Sequence, residues 1–210
     1  HQMLTKYSDA RVTHEYILNN LDSPTGKEHL TSAGLASMEP DQVVRPALRA
    51  ARDEFDMNDK SWVEINVYLA NYLDILRDEL PTLPTIALFR HPRAVVSSLT
   101  QRGWFQTILD VHHVAPAIGG WQNMTQFQRV CEYVAHVNDA LLRSCNDHLR
   151  LEDLIVSPQE FQVGLANVGI ISSSPPPLDL ETRVDSSNTV PRFSADEEKD
   201  FERILGTVCA

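Results

Sequence analysis

Apolar residues along the chain recur with two spacings, one typical of β-strands and the other of α-helices. Alternating or continuous apolar runs predict strands at residues 11–16, 62–67, 85–89 and 148–154. Spacings of three and four predict helices at residues 42–55, 68–80, 92–102, 124–144, 158–168 and 194–205. This alternation predicts a single α/β domain over residues 1–210, in which helices flank a central parallel sheet.

The best-defined segment is the strand at residues 85–89 together with the helix that follows it. The strand is continuously apolar and lies between prolines, as expected for a central parallel strand that is buried on both faces. Pro92 suits the first turn of the helix, and Gly103 is placed to end it. Ser194 and Glu197 have the spacing of a capping box, which predicts that the last helix begins there.

The composition is that of an ordinary globular domain, with 42% hydrophobic and 22% charged residues. No apolar run approaches the roughly twenty residues that a membrane span requires, and no signal peptide is evident, so we expect a cytoplasmic protein. The three cysteines, Cys131, Cys145 and Cys209, form no CxxC pair. Their spacing favours buried thiols over a disulfide framework or a zinc site.

The net charge of −11 argues against a broad nucleic-acid-binding face, which would be basic. A small anionic ligand requires only that basic groups meet at one place. Arg90 directly follows the strand at residues 85–89, at the sheet edge where open α/β folds bind ligands. Ser98 and Arg102 lie four residues apart and share one face of the helix. These groups suit a phosphate, although arginines beside a helix are also commonly solvated surface charges.

Residues 86–99, with the sequence IALFRHPRAVVSSL, resemble the 3′-phosphate motif of sulfotransferases that use 3′-phosphoadenosine 5′-phosphosulfate (PAPS). The family motif is a hydrophobic strand followed by Arg-x-Pro-Arg-x-x-x-x-Ser, in which the first arginine and the serine bind the 3′-phosphate. The resemblance implies this role for Arg90 and Ser98. Arg102 resembles a further arginine that contacts the same phosphate in protein-tyrosine sulfotransferases. Arg93 more often faces outward in such motifs, so we do not assign it to the site.

Three other stretches resemble the family in order and spacing. Residues 62–66 resemble the strand before the motif, residues 149–154 the "RYEDL" strand, and residues 194–205 the terminal helix. The resemblance implies a three-layer P-loop-like fold. The family's Gly- and Ser/Thr-rich first loop, which grips the 5′-phosphosulfate, has no counterpart in the sequence. Because residues 1–7 resemble the helix after that loop, we expect the loop and its strand immediately upstream.

The resemblance also implies a general base. In the tyrosine-sulfating and several bacterial branches, this base is a glutamate at the end of the strand after the first helix, and Glu15 matches that placement. His14 is the competing candidate, since other sulfotransferases use a histidine. Trp104, Phe105 and Trp121 would line an acceptor pocket or pack in the core.

The function implied is transfer of a sulfuryl group from PAPS to a hydroxyl or amine of a small-molecule or peptide acceptor, without a metal. Two alternatives stay open. A P-loop kinase-like protein would need a Gly-Lys-Ser/Thr loop and a carboxylate for magnesium. A non-catalytic sulfotransferase-like module would keep only the 3′-phosphate site.

Overall fold

The computed structural model describes residues 11–14, 40–56, 62–108, 115–153, 158–167 and 191–206. These residues form four strands, β1 (Arg11–His14), β2 (Trp62–Ile65), β3 (Ile86–Phe89) and β4 (Asp147–Arg150). They also form six α-helices, α1 (Pro40–Asp56), α2 (Leu73–Glu79), α3 (Pro92–Gln101), α4 (Gln126–Ser144), α5 (Pro158–Asn167) and α6 (Ala195–Leu205). The α/β class predicted from the sequence is confirmed.

Most predicted elements appear near their expected positions. The helix predicted over residues 68–80 is instead divided into a 3₁₀ turn, Leu69–Asn71, and α2. The Asn66 side chain accepts hydrogen bonds from the backbone N–H groups of Tyr68 and Leu69, which starts the first turn. Tyr72 then leaves helical geometry, with φ of −133°, before α2 begins.

The strands form two small parallel sheets within the described residues, one of β1 with β2 and the other of β3 with β4. These strands do not show the single central sheet that the sequence predicted. The expectation that the third strand is buried on both faces is wrong for the described part of the chain. Ala87 is 1% exposed, but Leu88 on the opposite face is 53% exposed. The reason is that α4 packs against β3, while α5 approaches this sheet over β4.

Helix α4 contributes to both hydrophobic clusters of the described core. Its first half packs with α3 and α6 in a cluster that contains Val96, Phe127, Val130 and Phe201. Its second half contacts the other cluster, which α1 and α2 build, through the partly buried residues Ala140, Leu141 and Cys145. Arg77 of α2 also donates hydrogen bonds to the carbonyls of Arg143 and Ser144, at the end of α4. The two clusters are thus joined along one helix.

The aromatic residues after α3 belong to the core. Phe105 is fully buried, Trp121 is 8% exposed, and Trp104 is partly buried. The Phe105 ring lies 5.1 Å from the rings of both Trp121 and Tyr133, measured between centroids. Of the two interpretations of these residues, burial in the core therefore fits Phe105 and Trp121.

The cysteine expectation is confirmed at one position. Cys131 is fully buried, and burial raises the pKa of its thiol to about 12. Cys145 is partly buried, and both are free thiols. Cys209 lies outside the described residues.

An ion-pair network joins α1 to α2. Arg49 donates two hydrogen bonds of 2.8 Å to the Glu79 carboxylate, and Arg45 donates a third at 3.1 Å. Arg45 also reaches Asp78 at 3.0 Å. The hydrogen bonds from Arg49 and then Arg45 lower the pKa of Glu79 to about 2.

We predict that Glu79→Gln lowers stability at pH 7 and that this loss shrinks on acidification. Because the folded-state pKa lies below the unfolded one, the stabilisation is complete above an unfolded pKa of about 4.3 and is lost as pH falls toward about 2. Urea unfolding at pH 7 and pH 3 measures this. Asp147→Asn, at an exposed carboxylate, is the control. An equal destabilisation by Glu79→Gln at both pH values would contradict the prediction.

Candidate anion-binding site

Arg90 lies at the junction of β3 and α3. The last ladder hydrogen bond of the sheet runs from the Leu151 N–H to the Phe89 carbonyl, at 2.8 Å. Arg90 follows at once, and α3 begins two residues later with Pro92 at its first position. Arg90 is therefore at the carboxyl edge of β3, as predicted, and its side chain is half-buried.

The turn between β3 and α3 is held from two sides. The Glu152 carboxylate accepts a hydrogen bond of 2.7 Å from the backbone N–H of His91. The His91 ring accepts another, of 3.2 Å, from the backbone N–H of Arg93 and so caps the helix. The backbone of Arg90 thus lies between two residues, Phe89 and His91, whose backbone groups are both fixed by hydrogen bonds.

Ser98 and Arg102 lie on α3 and at its end. The Arg102 N–H donates to the Ser98 carbonyl at 3.1 Å, so one helical turn separates the two residues. With a rise of about 1.5 Å per residue, Ser98 is about 9 Å and Arg102 about 15 Å along the axis from Pro92. Side chains on a helix lean toward its N-terminus, which is the Arg90 end for Ser98, whereas Arg102 is the C-cap at the opposite end. Ser98 is half-buried, and Arg102 is exposed.

The C-terminal end of α3 is anchored by α4. The Gln126 side chain donates hydrogen bonds to the carbonyls of Thr100 and Trp104, both at 3.1 Å. The buried guanidinium of Arg129 donates to the carbonyls of Phe105, Gln106 and Met124. Together they hold the turn after α3, where Gly103 has φ of +77° and Phe105 has φ of +53°.

Arg93 is engaged elsewhere. Its guanidinium donates two hydrogen bonds, of 2.6 and 2.9 Å, to the Glu198 carboxylate on α6. It also lies 4.8 Å from the Phe193 ring centroid and 4.7 Å from that of Phe201. The hydrogen bonds from Arg93 lower the pKa of Glu198. Arg93 therefore ties α3 to α6, and its side chain, which is 17% exposed, does not face outward as the resemblance implied.

Most other arginines of the described ranges are also engaged. Ion pairs or backbone carbonyls occupy Arg11, Arg45, Arg49, Arg52, Arg77, Arg129, Arg143 and Arg203. Across the described ranges, the guanidinium groups that make neither a hydrogen bond nor an ion pair are those of Arg90, Arg102, Arg150 and Arg192. The two arginines predicted for the site are thus among the few whose donors are available to a ligand.

The Ser98 hydroxyl is available in the same way. It makes no hydrogen bond within the described part of the chain, whereas the neighbouring Ser97 hydroxyl accepts one of 3.1 Å from Gln101. No hydrogen bond joins the Arg90, Ser98 and Arg102 side chains to one another in those residues. One end of a strand and one face of the next helix therefore present three donors whose partner would be an acceptor such as a phosphate.

The predicted general base lies outside the residues that the structure describes. Glu15 immediately follows the described strand β1, whose last residue is the competing candidate, His14. Because β1 and β2 are parallel, the end of β1 lies at the carboxyl edge of that sheet. Among the described residues, no group of three or more His, Cys, Asp and Glu side chains is placed to hold a metal ion. None of their helices has the length and apolar character of a membrane span.

Sequence reasoning missed the residues that support the site. Glu152 lies in the stretch compared with the "RYEDL" strand, but nothing in that stretch indicated a bond to His91. Arg129 lies in a helix pattern that marked it as one polar residue among several. Both act across the fold, so no local sequence signal reveals them.

Comparison of the chain with models of known protein families, with curated proteins and with solved structures found no match.

We predict that Arg93→Lys weakens the link between α3 and α6 without changing anion affinity. Lysine keeps the charge but cannot make two parallel hydrogen bonds to a carboxylate. The melting temperature should fall by about 2–4 °C. Arg203→Lys, in an exposed pair on α6, is the matched control and should have little effect. Loss of anion affinity at an unchanged melting temperature would instead place Arg93 in the site.

Proposed function

We propose that the protein is a PAPS-dependent sulfotransferase in which Arg90, Ser98 and Arg102 bind the 3′-phosphate of the donor. The observation that carries the proposal is the availability of these three donors among described residues whose other arginines are mostly engaged. Support also comes from the resemblance of residues 86–99 to the family's 3′-phosphate motif and from the strand–turn–helix arrangement of that segment.

The grip on the phosphate follows from the chemistry of the donors. A guanidinium can donate two parallel hydrogen bonds to two phosphate oxygens, and a hydroxyl can donate one more. Arg90 would approach from the strand end, Ser98 from the helix face and Arg102 from one turn further along. The anchoring of α3 at both ends lowers the entropy lost when these groups are ordered around a ligand.

In the proposed reaction, the acceptor oxygen or nitrogen forms a bond to sulfur while the bond from sulfur to the 5′-phosphate oxygen breaks. Glu15 takes the acceptor's proton, and adenosine 3′,5′-bisphosphate leaves. By analogy with phosphoryl transfer, catalysis would consist mainly of positioning and charge stabilisation. Since a free carboxylate, with a pKa of ~4.3, is a weak base, the proton would move in concert with bond formation.

The proposal includes the finer fold. Two-stranded parallel sheets are rarely stable alone, and parallel sheets are normally covered on both faces. We therefore propose that the two sheets belong to one three-layer P-loop-like sheet, completed by a further parallel strand. Helix α4 supports this because it packs against β3 and against the segment that follows β2. In the family, such a strand leads into the loop that holds the 5′-phosphosulfate.

Calorimetric titration with adenosine 3′,5′-bisphosphate tests the 3′-phosphate site. Arg90→Ala should weaken binding about 10- to 100-fold, because charge-assisted hydrogen bonds are lost, and Ser98→Ala about 3- to 10-fold. The matched controls are Arg150→Ala, which removes an exposed charge at the end of β4, and Ser97→Ala, whose hydroxyl is already bonded to Gln101. If the control variants lost as much affinity as the site variants, the losses would reflect general charge and not contacts with the phosphate.

Turnover tests the base. The assay uses protein that transfers sulfate from PAPS. In that protein, Glu15→Gln should leave the affinity for adenosine 3′,5′-bisphosphate unchanged. Its turnover should fall about 10²- to 10⁴-fold, which is the usual contribution of a general base. His14→Asn is the comparison variant. Full activity of Glu15→Gln with loss in His14→Asn would assign the base to His14. Binding without transfer by any form of the protein would instead indicate a non-catalytic module.

A further inference from the structure

The bond between Glu152 and His91 bears directly on Arg90. It spans 61 residues of sequence and connects the segment after β4 with the first residue after Arg90. At 2.7 Å, between a backbone N–H and a carboxylate, it has the length of a charge-assisted hydrogen bond. The only residue between this bond and the last bond of the β3–β4 ladder is Arg90.

From this geometry we propose that Glu152 is a positioning residue for anion binding, acting through the backbone of the turn that carries Arg90. The inference rests on the proposed role of Arg90 at the 3′-phosphate. Glu152 fixes the backbone of His91. The His91 ring caps α3, and the next residue, Pro92, occupies the first helical position. The direction in which Arg90 leaves the strand is thereby set before a ligand arrives.

The positions of the Arg90 and Glu152 side chains agree with a role for Arg90 in binding and for Glu152 in positioning. Arg90 makes no side-chain hydrogen bond or ion pair within the described ranges, so only its backbone is constrained. Glu152 is partly buried and offers a carboxylate at the same edge of the sheet. A carboxylate that touched a phosphate would repel it, so the expected contribution of Glu152 to anion binding is geometric, through the acceptor oxygen that holds the turn.

Three substitutions of Glu152 test this role. Glu152→Gln keeps an oxygen acceptor at the same distance from the backbone and removes the charge, so it should bind adenosine 3′,5′-bisphosphate within about twofold of the native chain. Glu152→Ala removes the acceptor and should weaken binding about five- to tenfold, the usual effect of one lost hydrogen bond. Glu152→Asp withdraws the carboxylate by one methylene and should show a similar loss, which covers the case in which the alanine variant does not fold.

A double-mutant cycle distinguishes positioning of Arg90 from a general structural role. If Glu152 acts through Arg90, then Glu152→Ala should cause no further loss of affinity in a chain that already carries Arg90→Ala. Asp153→Ala is the matched control, because Asp153 is the adjacent acid, is exposed and makes no bond within the described residues. It should bind like the native chain.

The experiment is calorimetry of the 210-residue chain and these variants with adenosine 3′,5′-bisphosphate, together with amide hydrogen exchange at His91. The His91 amide should be protected in the native chain and in Glu152→Gln, and exposed to exchange in Glu152→Ala. Unchanged or tighter binding by Glu152→Ala, or an equal loss in the Arg90→Ala background, overturns the positioning role. Absence of binding by the native chain overturns the proposed function itself, so the two failures are distinct.

Discussion

Helix α4 is the element on which the described structure depends. Its first half lies in the cluster with α3 and α6, and its second half lies against the cluster of α1 and α2. Within the described residues the strands form two separate small sheets, so neither of these provides a continuous core to organise the helices. The helix supplies that continuity, and its capping box at Thr125 and Gln128 fixes where it begins. A buried stripe along one helix thus connects the two clusters of the described core.

The same helix determines the rigidity of the candidate site. Polar side chains from its first turn, Gln126 and Arg129, satisfy the carbonyls at the end of α3. Burial of the Arg129 charge is unfavourable unless its donors are satisfied, and three carbonyls accept from it here. The opposite end of α3 is held by His91 and Glu152. The proposed ligand donors therefore lie on and beside a helix whose ends are both fixed, which is the condition for preorganised binding.

Local patterns predicted much of this arrangement. The period of apolar residues located the helices, Gly103 marked the end of α3, and Ser194 with Glu197 forms the predicted capping box. The sequence pattern also predicted that a strand ends before Arg90 and that Ser98 and Arg102 share one face of the helix. Contacts between distant residues were not, because the Arg93 bond to Glu198 spans 105 positions and depends on how α3 and α6 meet. The exposure of Leu88 likewise depends on which neighbours cover the strand, which an apolar run does not specify.

The pairing of Arg93 with Glu198 has a consequence for the charge near Arg90. Arg93 lies in the first turn of α3, one residue beyond Pro92, and its guanidinium is withdrawn from solvent by Glu198 and by the rings of Phe193 and Phe201. A chain cut before Ser194 would lose α6 and return this guanidinium to solvent beside the turn that carries Arg90. Helix α6 thus neutralises Arg93 and removes one cation from the edge of the sheet at which Arg90 lies.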